Sequence, residues 1–274
     1  MTDIIDKPAH RKEVRAIPYE GHFYPELWSH VYIVGEEKAL FPRLLSLAKC
    51  WPAKSVQEAD IVLFTGGIDD ISPQLYGKQS HRETYNDFDA DVRDIQVFRE
   101  AVSLGVPMVG VCRGAQFLHV MNGGELYQHV DNHNTKHDIW LRREGRTIVS
   151  SSVHHQMCKY NSRMQVLADA IVSSNRWIDP YTCHTPPTNR QSLSDVDIEA
   201  FWYEDTACFG VQGHPEYTGF DEFSEWFLKQ IEDLIVYNPD LEYRDKHQRL
   251  KQEIIAMRDW EEPELIDKFM KEYG

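Results

Sequence analysis

The chain is predicted to be α/β, with a mostly parallel central sheet flanked by helices in flavodoxin-like layers, followed by a helical C-terminal extension. Three observations predict this. Short apolar runs of strand length alternate with amphipathic helical stretches as far as residue 118, the pattern that builds crossover units and a parallel sheet. A turn of the form G-x-C-x-G, Gly110-Val111-Cys112-Arg113-Gly114, joins one such run directly to a helix. From Phe220 onward, apolar residues recur at helical spacing.

Residues 1–14 are charged and broken by Pro8, and a flexible N-terminus is expected there. The α/β domain is expected over 15–237. Its first strand is Val31 to Val34, and a helix from Ala39 to Lys49 is closed by Trp51-Pro52. Ala59 to Phe64 is the next strand, and it ends in Thr65-Gly66-Gly67. Paired glycines after a buried strand let the backbone approach a ligand with its N–H groups exposed. Asp87 to Ser103 reads as a helix with Ile95, Phe98, Ala101 and Val102 favouring one face. Val106 to Val111 is a buried strand leading into the cysteine turn.

Beyond the helix that follows, His129, His133 and His137 stand four residues apart. On a helix they would align as metal ligands, but the intervening Asp131-Asn132 and Asn134-Thr135 are poor helix formers. A loop is predicted, and no metal or cofactor is expected. Arg146 to Val153 reads as a strand running into His154-His155-Gln156. The stretch 173–195, rich in Pro, Ser and Thr, reads as a loop. Ile198 to Tyr203 and Cys208 to Gln212 read as a hairpin, ending in Gly213-His214-Pro215-Glu216. Phe220 to Ile235 makes an amphipathic helix that would cap the sheet. Asn238-Pro239 breaks it, and residues 238–274 form the predicted helical tail.

Composition restricts the function. The net charge is −15, from 29 basic and 44 acidic residues. That excludes the basic footprint a nucleic-acid partner needs and disfavours anionic membrane surfaces. Five scattered cysteines without a C-x-x-C pair suit free thiols better than a disulfide framework. No apolar run reaches membrane-spanning length and no signal peptide is apparent, so a cytoplasmic location is expected.

Two motifs carry chemistry. In G-x-C-x-G the glycines remove side chains that would collide where strand and helix pack closely, so Cys112 is forced to the apex of the turn. At a helix N-terminus the macrodipole favours a thiolate, and the Arg113 N–H points to where an oxyanion would form. In His214-Pro215-Glu216, the proline holds His214 extended, so that i and i+2 share one side. A carboxylate so placed would fix the imidazole tautomer and stabilise its charged form. Either motif alone is compatible with an ordinary buried cysteine or a loop; together they suggest a nucleophile, base and orienting acid.

Gly110 to Gln116 together with Gly213 to Glu216 resembles the class I glutamine amidotransferase superfamily. Gly66-Gly67-Ile68-Asp69, Pro73, Tyr76-Gly77, Gly123-Gly124 and His155-Gln156 are similar to its gamma-glutamyl hydrolase, or peptidase C26-like, branch. The resemblance covers roughly residues 31 to 220 and departs at His119, where the branch usually carries Asn. It implies a Cys112-His214-Glu216 triad and a glutamyl thioester. It also implies an oxyanion hole from Gly67 and Arg113, with Gly66, Gln116, His155 and Gln156 binding substrate. The implied activity is glutaminase, releasing ammonia to a separately encoded synthetase or amidoligase subunit. The alternatives are a free-standing gamma-glutamyl hydrolase and a catalytically silent binding module. A homo-oligomer is compatible with either enzyme.

Since every motif precedes residue 220, the tail is expected to serve association. Truncation after Tyr237 should leave a folded amidase with unchanged turnover. A truncated protein that folds but is inactive would place the tail in the site.

Overall fold

The computed structural model describes residues 30–236, apart from 42–43, 45–49, 173, 188, 191 and 218–220. The expected flexible N-terminus and helical tail lie outside the described residues, as does most of the helix expected over 39–49. In chain order the strands are β1 (His30–Val34), β2 (Trp51–Pro52), β3 (Ile61–Phe64), β4 (Met108–Val111), β5 (Leu126–Tyr127), β6 (His129–Val130) and β7 (His137–Leu141). They continue with β8 (Arg146–Ser150), β9 (Met157–Cys158), β10 (Gln165–Ala170), β11 (Arg176–Trp177), β12 (Cys183–His184), β13 (Ile198–Tyr203) and β14 (Cys208–Val211). The α-helices are α1 (Phe88–Leu104), α2 (Arg113–Met121) and α3 (Glu222–Ile231).

Nine strands form one sheet in the order β2-β1-β3-β4-β14-β13-β10-β7-β8. The expected α/β layering is present, and the sheet divides into two halves. The first five strands run parallel. From β14 onward each neighbour is antiparallel. Tight connections impose that direction on β7–β8 and on β13–β14, because a strand returned by a few residues can only pair antiparallel. Gly145, at φ 66°, closes the β7–β8 turn. The Arg146 strand ends at Ser150, so Ser151 to Gln156 forms a loop. The stretch 173–195, expected as loop, carries the short strands β11 and β12, which join β6 in a small separate sheet. Those pairings supply backbone partners that local composition does not reveal.

Both faces of the parallel half are buried, and side-chain alternation divides them. Ile61, Leu63, Val109, Val111, Phe209 and Val211 face α3, whose Phe223, Trp226, Phe227 and Ile231 complete that layer. The α3 helix thus caps the sheet as its apolar spacing predicts. Val62, Phe64, Met108 and Cys208 face the other way, against Ala101 and Val102 of α1 and Ala115, Phe117 and Leu118 of α2. The Asp87 side chain caps α1 by accepting from Asp89 N–H, and Gly105, at φ 68°, ends it.

The tightest contact lies between α2 and the sheet. A Cβ added at Gly114 would stand 2.2 Å from the Phe64 carbonyl oxygen, and one at Gly110 2.6 Å from the Ala115 nitrogen. Both obstacles are backbone and cannot rotate away. Gly114→Ala is therefore expected to cost about 1–3 kcal/mol or more of stability. It should appear as a lower urea midpoint at unchanged m-value. An unmoved midpoint would show that β3 and α2 can separate freely.

Candidate active site

Three parallel strands deliver the site. Phe64 of β3, Val111 of β4 and Val211 of β14 end side by side, and their extensions are Thr65-Gly66-Gly67, Cys112 and Gln212-Gly213-His214. A cavity of about 230 Å³ opens off these carboxyl ends, where ligands of α/β sheets lie. Cys112, His214, Gly67, Gln116, His155 and Gln156 all line it.

Cys112 has φ 50° and ψ −111°, a conformation that non-glycine residues seldom adopt. Such backbone strain costs on the order of 1–3 kcal/mol and persists only where its surroundings enforce it. Here the enforcing contacts are visible. Cys112 N–H donates to Val211 O (2.8 Å), and Gly114 N–H donates to Thr65 O (3.1 Å). The turn is thus clamped between both neighbouring strands. Cys112 is the residue immediately before α2, at the positive end of that helix.

His214 Nδ1 lies 2.8 Å from Glu216 Oε1, and both side chains are buried. The carboxylate can only accept, so Nδ1 donates and Nε2 is left for the cavity. Nε2 has no hydrogen-bond partner among the described residues. The two residues meet through a turn, with Tyr217 N–H 3.4 Å from His214 O. This corrects the expectation of an extended segment: the proline holds His214 itself but does not prevent the chain from turning after it. Burial pulls the His214 imidazole down, yet the Cys112 sulfur and the Glu216 carboxylate outweigh it and push its pKa up to about 10. The Tyr217 ring stacks on His214 at 4.1 Å, and its hydroxyl donates to Glu37 Oε1 (2.6 Å).

Arg113 contributes twice. Its backbone N–H and that of Gly67 donate to nothing among the described residues, and both residues line the cavity. Its side chain runs past Gly67, with Cδ 3.0 Å from where a Cβ would stand. The guanidinium is bound by Asp94 and Asp91 of α1, each at 2.6 Å. Asp91 also accepts from Ser72 N–H (2.9 Å). Burial raises both carboxyls in spite of the arginine, the mark of an ion pair held out of water.

A sequence model of the peptidase C26 family matches residues 44–216, a span that includes every residue just described apart from Glu37 and Tyr217. The chain belongs to the peptidase C26 family, within the class I glutamine amidotransferase superfamily. Among its relatives is protein NtpR of Enterococcus hirae, 26% identical over 186 residues that make up 60% of this chain and 69% of NtpR. A glutamine amidotransferase-like YvdE homologue of Lactococcus lactis is 40% identical over 70 residues, a quarter of this chain and only 37% of that relative. A crystal structure of a glutamine amidotransferase from Thermotoga maritima aligns at TM-score 0.46 and 12% identity. That alignment covers 84% of this chain and 98% of the other.

Most residues expected from sequence in this C26 chain meet at the cavity, with two exceptions. Glu216 stands behind His214, away from the cavity lining. Gly66 lies beneath the site, where a Cβ would come within 2.2 Å of Glu37 Oε2 and 2.8 Å of His214 Cε1. Gln116 donates its amide to Gln156 O (3.1 Å), and Gln212 does the same (3.0 Å), so both hold the loop. The Gln156 amide itself is buried without a hydrogen-bond partner among the described residues. His155 is paired with Asp70 at 3.0 Å. His119 is buried away from the cavity between Glu125 O and Tyr203.

Sequence reasoning missed Glu37, Tyr217, Asp70 and the Asp91/Asp94 pair. Only the last had a signal, two acids at i, i+3 beside the apolar face of α1. The His214 shift has a sign that can be tested. Its stabilising contribution is complete below the unfolded value near 6.5 and is lost as pH rises through about 10. Glu216→Gln should bring the His214 titration, followed by NMR, down by more than one pH unit. A midpoint that does not move would dissociate Glu216 from the imidazole.

Proposed function

We propose that this protein hydrolyses a gamma-glutamyl amide through a thioester on Cys112. The observation that carries the reading is the strained, clamped cysteine sharing one cavity with the unpartnered Nε2 of an imidazole whose other nitrogen is held by Glu216. A buried imidazole oriented in this way can hold the thiol proton and return it to a leaving group.

The geometry is compatible with the following steps. The Cys112 sulfur attacks the gamma-carbonyl carbon while His214 holds the thiol proton. The carbonyl oxygen takes up the negative charge between the N–H groups of Gly67 and Arg113. The C–N bond breaks as His214 gives its proton to the departing amine, leaving a glutamyl thioester. Water, losing a proton to His214, then attacks the thioester carbon. Glutamate leaves and the sulfur regains its proton. The cavity is smaller than the roughly 300–1,000 Å³ of drug-sized ligand sites, and it fits a glutamyl group better than a long peptide. Glu37, Asp69 and Asp70 line it and would attract the alpha-ammonium of that group.

Free-standing hydrolysis is the better-supported form, since the matching family description is that of a peptidase and spans the whole motif set. The second reading, ammonia supply to a synthetase or amidoligase subunit, draws on the amidotransferase-like name of a relative. Steady-state kinetics on glutamine and on gamma-glutamyl peptides decide between them. Fast peptide cleavage without a partner is expected. Weak glutaminase activity that rises with an added synthetase would favour the second reading.

Cys112→Ser should lower kcat by about 10⁴-fold or more. A glutamine-like chloroketone should label Cys112 alone. Burial pushes the thiols of Cys50, Cys158 and Cys208 upward, to about 12 for Cys50 and about 11 for Cys208. Cys183 is exposed and serves as the internal control for non-specific alkylation. Equal labelling of Cys183, or turnover that survives in Cys112→Ser, would refute the mechanism.

A further inference from the structure

Behind the cavity lies a second cluster of titratable groups that the hydrolysis does not use. His133, His137 and His154 surround Glu199 of β13, and all four side chains are buried or nearly so. Glu199 Oε1 lies 3.0 Å from His133 Nδ1, 3.0 Å from His137 Nε2 and 3.8 Å from His154 Nε2. The three imidazoles come from a loop, from β7 and from the 151–156 loop, and tertiary folding alone brings them together.

The outer contacts of these rings show what faces inward. His133 Nε2 lies 3.0 Å from Asp197 Oδ2, His137 Nδ1 3.1 Å from Thr135 O, and His154 Nδ1 2.8 Å from Gln156 O. Each of those oxygens can only accept, so each outward nitrogen carries the proton. Gln212 Nε2 also approaches His154 Nδ1, at the longer distance of 3.3 Å. In the neutral rings, three lone pairs then converge on a carboxylate. Among the described residues, His133 Nδ1, His154 Nε2 and Glu199 Oε2 are buried with no partner in hydrogen-bond geometry. Lone pairs facing a carboxylate out of water repel. Burial opposes charge on His133 and His137 but Asp197 and Glu199 favour it, so the site attracts a positive charge, either protons on the rings or a metal cation among them. Imidazoles whose far N–H groups are held by a carboxylate or carbonyl are the usual surroundings of a metal.

We propose that His133 Nδ1, His137 Nε2 and the Glu199 carboxylate bind one divalent cation of the zinc class, with His154, stacked on His133 at 4.9 Å, beside it rather than on it. Two imidazoles with one carboxylate suit zinc over the oxygen-seeking calcium or magnesium. With metal–ligand bonds of about 2.0–2.2 Å, tetrahedral ligands stand roughly 3.4 Å apart, and the two 3.0 Å distances to Glu199 Oε1 would open by a few tenths of an ångström around a cation. With three protein ligands and a water, the site holds separate elements together. It ties β13 and β7 to the loop that carries His155 and Gln156, since His154 also lines the cavity and its N–H donates to His133 O (3.1 Å). The sequence expectation of no metal rested on helical spacing. The ligands lie on separate elements, and His129 is not among them.

The test reads metal directly and is independent of turnover. The untagged full chain, purified without chelator, is dialysed and its metal content measured by mass spectrometry; the stripped protein is titrated with Zn²⁺ and with Co²⁺. One equivalent of zinc should be retained, and cobalt should give the intense visible bands of a tetrahedral centre. His137→Ala and Glu199→Gln, checked for folding by circular dichroism, should each lose at least about ten-fold in affinity, whereas His129→Ala should retain one equivalent. If wild type takes up no zinc, or His137→Ala keeps a full equivalent, the proposal is wrong. A long-range ¹H–¹⁵N spectrum showing His133 protonated on both nitrogens and unchanged by added zinc would also overturn it, whatever the fate of the variants.

Discussion

The structure depends on a backbone constraint at Cys112. A residue with a side chain is held at positive φ because its own N–H is taken by Val211 and the N–H two residues on is taken by Thr65. Those two bonds attach the turn to β14 on one side and to the end of β3 on the other. They are possible only because Gly114 lets α2 lie against Phe64 at backbone contact distance. Strain, glycine and strand order are therefore one feature. Relaxing any of them would turn the sulfur back toward the core, where Cys50, Cys158 and Cys208 are held as thiols by burial.

Around that turn, buried carboxylates that do not line the cavity position a residue that does. The Arg113 guanidinium is occupied by two carboxylates of α1, leaving its backbone N–H as what it offers the cavity. Buried ion pairs contribute little net stability, but removing one partner leaves a stranded charge and is costly. The arrangement thus locks α1, the Gly67 loop and the start of α2 into a single relative placement. A similar arrangement recurs at Arg176, which is fully buried, pairs with Asp197 and lies over the Tyr127 ring. Through Asp197 it holds His133, so both the cavity and the histidine cluster behind it rest on an arginine–carboxylate anchor.

The parallel half of the sheet was legible in the sequence because its signals are local. Ile61 to Phe64 and Val106 to Val111 are short apolar runs between glycine, proline and polar breakers, and Asp87 and Gly105 mark the ends of α1. The antiparallel half was legible only in part: the strand from Arg146 and the Ile198–Gln212 hairpin were, but β10 and β7 were not. Gln165 to Ala170 contains Ala and Asp, weak strand formers, and nearly every residue in it is buried, so no alternation appears. His137 to Leu141 does alternate, but its inward residues include a histidine whose burial is explained only by Glu199, 62 residues away.

By itself the sequence determined the cysteine turn, the His-Pro-Glu segment, the glycine loop and the helix caps. In each of these the decisive contact is with a residue a few positions along the chain, or with the missing side chain of a glycine. Only the tertiary structure decided that Glu37 and Tyr217 meet over His214, that Asp91 and Asp94 take up Arg113, and that three histidines share Glu199. Those groupings join residues 19 to 180 positions apart. Their energy arises from desolvation and charge pairing, which exist only once the intervening chain has been packed and water excluded.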